Sequence, residues 1–356
     1  MIGISLLTLV PRISGGSETY ARELIRALAR VGRLEYHVFV PNLAPDAADG
    51  LSSTIASSYP AASSMPGRMR AMAQATAFPG RLRRELTAER PLDALHFPLT
   101  ITIPRGTGVS AATSVLDLQH ELLPQFFSRP ERAYRRLAYR TAVRSSKLVI
   151  AISGHVKESI VERLGVEPER VRVAYLGIDL EQLRPGDGER EPLLLYPANG
   201  WPHKNHARLL EAFGLIRRER PELRLVLTGS GLENLPDQTG VEVRGHVPRD
   251  ELVRLYQTAE ALVFPSLYEG FGLPPLEAMA CGCPVAVSQA GALPEVCGDA
   301  ARYFDPAESE EIAAATLDVV ANPGELAARG LAHARAFTWD ECARRHDEVY
   351  EELSAA

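Results

Sequence analysis

The stretch Phe264-Pro-Ser-Leu-Tyr-Glu269-Gly-Phe-Gly-Leu-Pro-Pro-Leu-Glu277-Ala-Met-Ala-Cys-Gly-Cys-Pro284 carries the most chemistry in this chain. An apolar run leads into Glu269, a Gly-Phe-Gly loop follows, and Pro274-Pro275 start a helix with Glu277 in its first turn. Free backbone N–H groups of such a loop and helix start form an anion site. Two carboxylates flank it, and carboxylates accept from hydroxyls while repelling phosphate. A ligand with both phosphate and sugar hydroxyls suits the combination, and a nucleotide sugar is one. The plainer reading stands beside it: Glu277 favours the helix dipole whatever it binds, and Glu269 can cap a loop.

Lys204, in Tyr196-Pro-Ala-Asn-Gly-Trp201-Pro-His-Lys204-Asn-His206, falls between a strand and a helix. That is where α/β sheets bind phosphate, and only Lys147, Lys157 and Lys204 of the 39 basic residues are lysines. A fixed cation there clamps a diphosphate and stabilises the charge developing on a departing β-phosphate. His120, in Val115-Leu-Asp117-Leu-Gln-His120-Glu, follows a strand of the first half. Asp117 either orients it or caps the loop. Gly15-Gly16 lacks the third glycine and the acidic partner of the dinucleotide fingerprint. No Asp-x-Asp pair occurs to hold a divalent cation, and no carboxylate is placed as a nucleophile.

The elements that must position these residues alternate between short apolar runs and amphipathic stretches, the signature of parallel sheets with crossover helices. Met1–Val10, then Gly15-Gly16, then Ser17–Arg30 with Tyr20, Leu24, Ile25 and Leu28 at helical spacing, reads as strand, glycine loop and helix, with Ser17 as N-cap. Tyr36–Val40, Ala94–Phe97, Ala112–Leu116, Lys147–Ile152 and Val171–Ile178 read as further strands. The Ser/Ala-rich Leu51–Ser64 reads as a mobile loop, and Pro185-Gly186-Asp187-Gly188 as a hinge. Beyond it, Pro192–Tyr196, Arg224–Thr228, Val241–Gly245, Ala261–Phe264 and Val285–Val287 are expected strands. Helices are expected near His206–Arg218, Arg249–Thr258, Pro275–Cys281, Glu310–Ala336 and Trp339–Leu353. The pattern predicts an α/β fold of two Rossmann-like domains, 1–182 and 183–337, with parallel sheets facing a central cleft, and a closing helix, 338–356, crossing back to the first.

The 356 residues suit two domains at about 150 residues each. Residues 1–182 carry 23 Lys plus Arg against 17 Asp plus Glu, and residues 183–356 carry 16 against 28, so the halves differ in sign. The net −6 and the lack of a binding motif disfavour nucleic acid. No apolar run reaches membrane-spanning length, and the first residues lack a secretory pattern, so a cytoplasmic location is expected. Cys281, Cys283, Cys297 and Cys342 are too few for a disulfide framework and match no zinc spacing, so no metal ligands are assigned. Arg129, Arg132, Arg135, Arg136, Arg140, Arg144 and Lys147 share one stretch opposed only by Glu131. It is a solvated face, a peripheral contact with the anionic inner face of a membrane, or an attractor of an anionic acceptor.

The Glu, seven residues, Glu pattern with Gly-Phe-Gly-Leu-Pro and Glu-Ala-Met-Ala-Cys-Gly-Cys-Pro-Val resembles the signature of retaining family-4 glycosyltransferases of GT-B fold, and Trp-Pro-His-Lys-Asn-His resembles their mannosyltransferase-like branch. The resemblance covers nearly the whole chain. It implies that Glu277 holds the nucleotide ribose, that Glu269 meets the donor sugar, and that the amides of Gly270, Phe271, Gly272 and Leu273 approach sugar and diphosphate. It further implies that Asp-x-x-His brings His120 to the donor sugar and that the Gly15-Gly16 loop nears the donor phosphate and acceptor. The family's usual Arg, six residues before Lys204, is here Ala198, with Asn199 beside it at the donor. The expected activity is retaining, metal-independent transfer of a hexose from a nucleotide diphosphate sugar, GDP-mannose or a UDP-sugar. The acceptor is a hydroxyl of a glycan, a lipid-linked sugar or a small molecule, and no cofactor is required. The alternatives are a non-catalytic nucleotide-sugar binding subunit and a GT-B-like epimerase or phosphorylase.

Overall fold

The computed structural model describes residues 1–11, 15–87 and 91–355. Ile13 and Ser14 of the expected glycine loop lie outside the described residues, whereas Gly15 and Gly16 lie within them. The chain divides into two compact units, Met1–Gly177 with Trp339–Ala356, and Ile178–Thr338.

The first unit holds β1 (Ile2–Ser5), β2 (Tyr36–Val40), β3 (Ser52–Ile55), β4 (Ala94–Phe97), β5 (Ser110–Val115), β6 (Leu148–Ala151) and β7 (Val171–Val173). They form one sheet in the order β3-β2-β1-β4-β5-β6-β7, parallel throughout. The second unit holds β8 (Glu191–Pro197), β9 (Arg224–Thr228), β10 (Val241–Gly245), β11 (Ala259–Phe264), β12 (Val285–Ser288) and β13 (Arg302–Phe304). Their order is β10-β9-β8-β11-β12-β13, again parallel. Both are doubly wound sheets, each with one point where the strand order reverses.

Central strands such as Ala94-Leu-His-Phe and Val285-Ala-Val-Ser are buried along their length, as helices on both faces require. The edges differ. β3 lies inside the stretch expected to be a mobile loop, and its Ser52-Ser-Thr-Ile is mostly exposed. It is held by the ladder to β2 and by His37, whose Nδ1 and Nε2 meet Ser52 Oγ at 3.1 Å and Thr54 Oγ1 at 2.9 Å. A polar edge strand has no apolar run to announce it. β13, a three-residue strand at the other sheet's edge, escapes the pattern for the same reason. β7 is shorter than expected and ends at Val173.

Helix starts also shift. The first helix is Gly16–Val31 with Gly15 as N-cap, because the amides of Glu18 and Thr19 both bond Gly15 O, so Ser17 lies within the helix rather than capping it. The expected Glu310–Ala336 helix is two, Ser309–Ala321 and Pro323–Ala334, parted where Pro323 removes an amide donor. Pro185–Gly188 falls inside the second unit, where Gln257 Nε2 donates to Arg184 O at 2.8 Å. No helix among the described residues is long and apolar enough to cross a membrane.

The closing helix, Trp339–Ser354, belongs to the first unit and packs on Gly16–Val31, β4 and β5. Its buried polar contacts form one directed chain. His346 Nδ1 donates to the Cys342 carbonyl at 2.8 Å, so in the neutral ring Nε2 accepts from Tyr20 Oη, also at 2.8 Å. Tyr20 then accepts from Ser114 Oγ at 2.7 Å, Ser114 from His96 Nε2 at 2.8 Å, and His96 Nδ1 from Tyr350 Oη at 2.8 Å. Burial holds His346 down at about 4 and His96 well below its ordinary value, so both rings are neutral at pH 7. Asp347, fully buried on the same helix, accepts from the Arg33 amide at 2.9 Å and from Tyr36 Oη.

Candidate functional site

In the second sheet the order reverses between β8 and β11, and open α/β sheets bind ligands outside the carboxyl ends of strands at that point. The loop after β8 carries Asn199 and Lys204, and the loop after β11 carries Glu269 to Gly272. Backbone contact with the loop after β9 shapes the first of these. A Cβ on Gly200 would lie 1.9 Å from Gly231 O, and one on Gly229, at φ 132°, would lie 2.6 Å from Ala198 O. Asn199 Oδ1 accepts from the Ser230 amide at 2.8 Å, so Asn199 is a strut between the two loops.

Lys204 Nζ donates to Glu269 Oε1 at 2.6 Å, with side-chain exposures of 13% and 14%. The ammonium stands 5.4 Å from the Phe264 ring centre. Its backbone is fixed by Tyr196 Oη, which donates to Lys204 O at 2.6 Å, and by the Leu267 amide, which donates to His203 O at 2.7 Å. Burial, then the Lys204 charge, pushes His203 down to about 4, and burial does the same to His206. Around Lys204 the histidines are therefore neutral at pH 7, leaving a single cation facing a single carboxylate.

The helix after this loop is Leu273–Ala280, starting two residues earlier than expected. Glu277 thus sits in its second turn, where the dipole does little for it. Two partners hold it instead: Tyr256 Oη donates to Oε2 at 2.9 Å, and Arg249 Nη2 pairs with Oε1 at 2.9 Å. Burial and the Glu277 charge raise the Tyr256 phenol well above its ordinary value, so it remains a donor. Gly272, the N-cap, has φ 124°, and a Cβ there would lie 2.7 Å from Leu293 Cδ2. The Phe271 ring turns inward, edge-on to Phe337 with centroids 6.0 Å apart.

The remaining expected residues belong to the first unit. His120, in the short helix Gln119–Leu122, is fully buried and edge-on to Tyr139 at 4.6 Å. Neither ring nitrogen meets a hydrogen-bond partner, and burial pushes its pKa down to about 4. Asp117 does not bond it: Asp117 Oδ1 accepts from the Gln119 amide at 3.2 Å and caps the turn, which corrects the orienting role. Gly15 adopts φ 51°, and a Cβ on Gly16 would meet nothing within 4 Å.

Lys204, Glu269 and the loop to Leu273 thus meet at one strand-order reversal, with Glu277 on the helix that follows. Two residues of this region carry no signal of their own. Arg249 is one arginine among many, and Tyr256 occupies a core-like helical position. Only the fold brings them to Glu277. Asn205 lies within the Trp201–His206 motif, but its bonds to the loops after β11 and β13 are not legible there.

Residues 14–182 match the family profile described as Glycosyltransferase Family 4, and residues 181–336 that of Glycosyl transferases group 1. O-antigen chain mannosyltransferase B of Escherichia coli is 30% identical over 268 residues, 68% of this chain and 70% of that one. MMP alpha-(1->4)-mannosyltransferase of Mycolicibacterium hassiacum is 34% identical over 223 residues, spanning 58% of this chain and 54% of that one. Among solved structures, the sucrose-phosphate synthase from Thermosynechococcus elongatus superposes with a TM-score of 0.74 at 19% identity, covering 99% of both chains, a likeness of fold. With both units matched and the two-carboxylate loop in place, the chain belongs to the family-4, group 1 glycosyltransferases of GT-B fold.

Proposed function

We propose that this glycosyltransferase moves a hexose from a nucleotide diphosphate sugar to an acceptor hydroxyl with retention and without a metal ion. GDP-mannose is the first candidate donor, in line with the two mannosyltransferase relatives, and a UDP-sugar the second. A glycan, a lipid-linked sugar and a small molecule are the acceptor classes. The observation that carries the reading is Lys204 held against Glu269 at the reversal between β8 and β11.

A lysine ammonium has three donors, so Lys204 can bond a phosphate oxygen while keeping Glu269. Together with the amides entering the Leu273–Ala280 helix, it takes the diphosphate charge that a metal carries in other transferases. As the bond between the anomeric carbon and the phosphate oxygen breaks, that oxygen keeps the electron pair and takes the acceptor hydroxyl's proton. The acceptor oxygen bonds the same face of the sugar, so configuration is retained. Glu277 receives the ribose hydroxyls, Glu269 the sugar hydroxyls, and His120, neutral at pH 7, a further hydroxyl of the donor sugar.

A thermal-shift series with nucleoside diphosphates and their sugars, in EDTA, tests the donor site. A ligand at 100 times its Kd adds about 2.7 kcal/mol of stability. One base should stabilise selectively, and transfer should continue in EDTA with the anomeric configuration of the donor. Inversion, a metal requirement, or binding without donor consumption across varied acceptors would each overturn the corresponding part.

The helix Arg129–Ser145 is assigned a peripheral contact with an anionic membrane surface. Leu137 is 69% exposed among its arginines, of which Arg135 and Arg136 pair with Glu131 and Glu121. Flotation with anionic but not neutral vesicles is the expected result, and no flotation at low salt would remove the assignment.

A further inference from the structure

We infer that Asn205 is a positioning residue that sets Lys204 for the reaction. This rests on the donor-site reading above. Asn205 is a non-glycine residue with positive φ, at 62° with ψ 36°, and it turns the chain from the Lys204 turn into the helix His206–Glu219. Its side-chain amide spends both hydrogens on other loops. One goes to Pro265 O, just after β11, at 3.1 Å, and the other to Pro306 O, after β13, at 2.8 Å. The loop bearing Lys204 is thereby tied to the loop bearing Glu269 within one residue of the cation.

A lysine side chain is long and loses its position readily, so its aim depends on where its Cα is held. Left-handed backbone is tolerated by Gly, Asn and Asp, and of these Asn alone supplies two N–H donors. Position 205 makes both demands at once. Strained backbone of this kind persists where its surroundings over-determine it, and here those surroundings are the two carbonyls beside the candidate site.

Asn205→Gly separates the demands, because it accepts φ 62° and deletes both donors. The expected outcome is a fall in kcat of roughly 10- to 100-fold with donor KM within about threefold, since a small misplacement of a group acting on the transition state has that weight. Introduced into Lys204→Ala, the same change should alter kcat/KM by less than about twofold, because the group it positions is already gone. In crystals of Asn205→Gly, the distance from Lys204 Nζ to Glu269 Oε1 should exceed about 4 Å. Full activity of Asn205→Gly, an undiminished loss in the Lys204→Ala background, or an ion pair still at 2.6 Å would overturn the inference. The crystal measurement needs no nucleotide. A wild-type protein that binds no nucleoside diphosphate would overturn the donor-site reading instead, and the two failures are distinguishable.

Discussion

Two polar regions of this molecule are built on opposite terms. In the first unit, the chain from Tyr350 through His96, Ser114 and Tyr20 to His346 and the Cys342 carbonyl uses each hydroxyl and ring hydrogen once and carries no charge at pH 7. At the β8–β11 reversal of the second unit, Lys204 keeps donors beyond its bond to Glu269. Within the first unit itself, outside that network, His120 has two ring nitrogens without a partner. A closed, neutral network fixes the closing helix to its unit and has nothing to offer a ligand. Groups with spare bonding capacity add less to the fold and keep that capacity for chemistry.

The comparison breaks first at Lys204 if it breaks at all. Lys204→Ala is expected to lower kcat roughly 100- to 1000-fold, the weight of one group stabilising developing charge. It should cost only about 1–2 kcal/mol of stability, because Glu269 keeps some solvent access. Initial rates and urea midpoints on the same preparation check both numbers. His346→Leu is the mirror experiment. It leaves the Tyr20 hydroxyl without its acceptor, while the Cys342 carbonyl keeps the helical amide of residue 346, so about 1–3 kcal/mol of stability is lost and nucleotide binding by the folded protein is unchanged. His120→Leu should fall on the site's side of the divide. Stability stays within about 1 kcal/mol, since no hydrogen bond is deleted, while activity falls roughly tenfold. A destabilised His120→Leu with full activity would reverse the assignment of the two histidine environments.

Acid titrates the same contrast. His346 and His120 are held near 4 in the folded chain, against about 6.5 when unfolded. Between those values the unfolded chain binds more protons, so stability is flat above about pH 7 and falls as pH drops from 6.5 towards 4. Each such histidine contributes up to roughly 1.4 kcal/mol per pH unit. Urea midpoints at pH 7, 6 and 5 measure the slope, and His346→Leu should reduce it by about one proton. An unchanged slope would mean that burial does not hold His346 neutral.

Much of this architecture is legible in the order of residues, because a strand buried on both faces must be apolar whatever its neighbours. Arg224–Thr228, Val241–Gly245 and the helix Arg249–Thr258 match expectation residue for residue. Ser52–Ile55 does not, since an edge strand is defined by the ladder it joins and not by its composition. The site divides likewise. Lys204, Glu269 and the Gly270–Leu273 loop show themselves by type and by their place after strands. Arg249 and Tyr256 are invisible, because their meaning is a contact with Glu277 across 28 and 21 residues of chain. The Asp117 outcome shows the limit of spacing: three residues from His120, its carboxylate is claimed by the nearer Gln119 amide.

The finest test concerns Tyr256. Its ring is fully buried and its hydroxyl donates to Glu277 Oε2 at 2.9 Å, while Arg249 holds Oε1. Tyr256→Phe keeps the packing and deletes one donor, so Glu277 stays in place with one oxygen less constrained. The expected change is about 1 kcal/mol, roughly a fivefold rise in nucleoside diphosphate Kd. Because Glu277 is read as the ribose acceptor, the same variant should narrow the preference for the ribonucleotide over its 2′-deoxy analogue. Titration calorimetry with both nucleotides resolves this in wild type and variant. Should wild type bind the two equally, Glu277 faces something other than the ribose, and its bonds to Arg249 and Tyr256 would move it to the same side of the comparison as the closed network around His346.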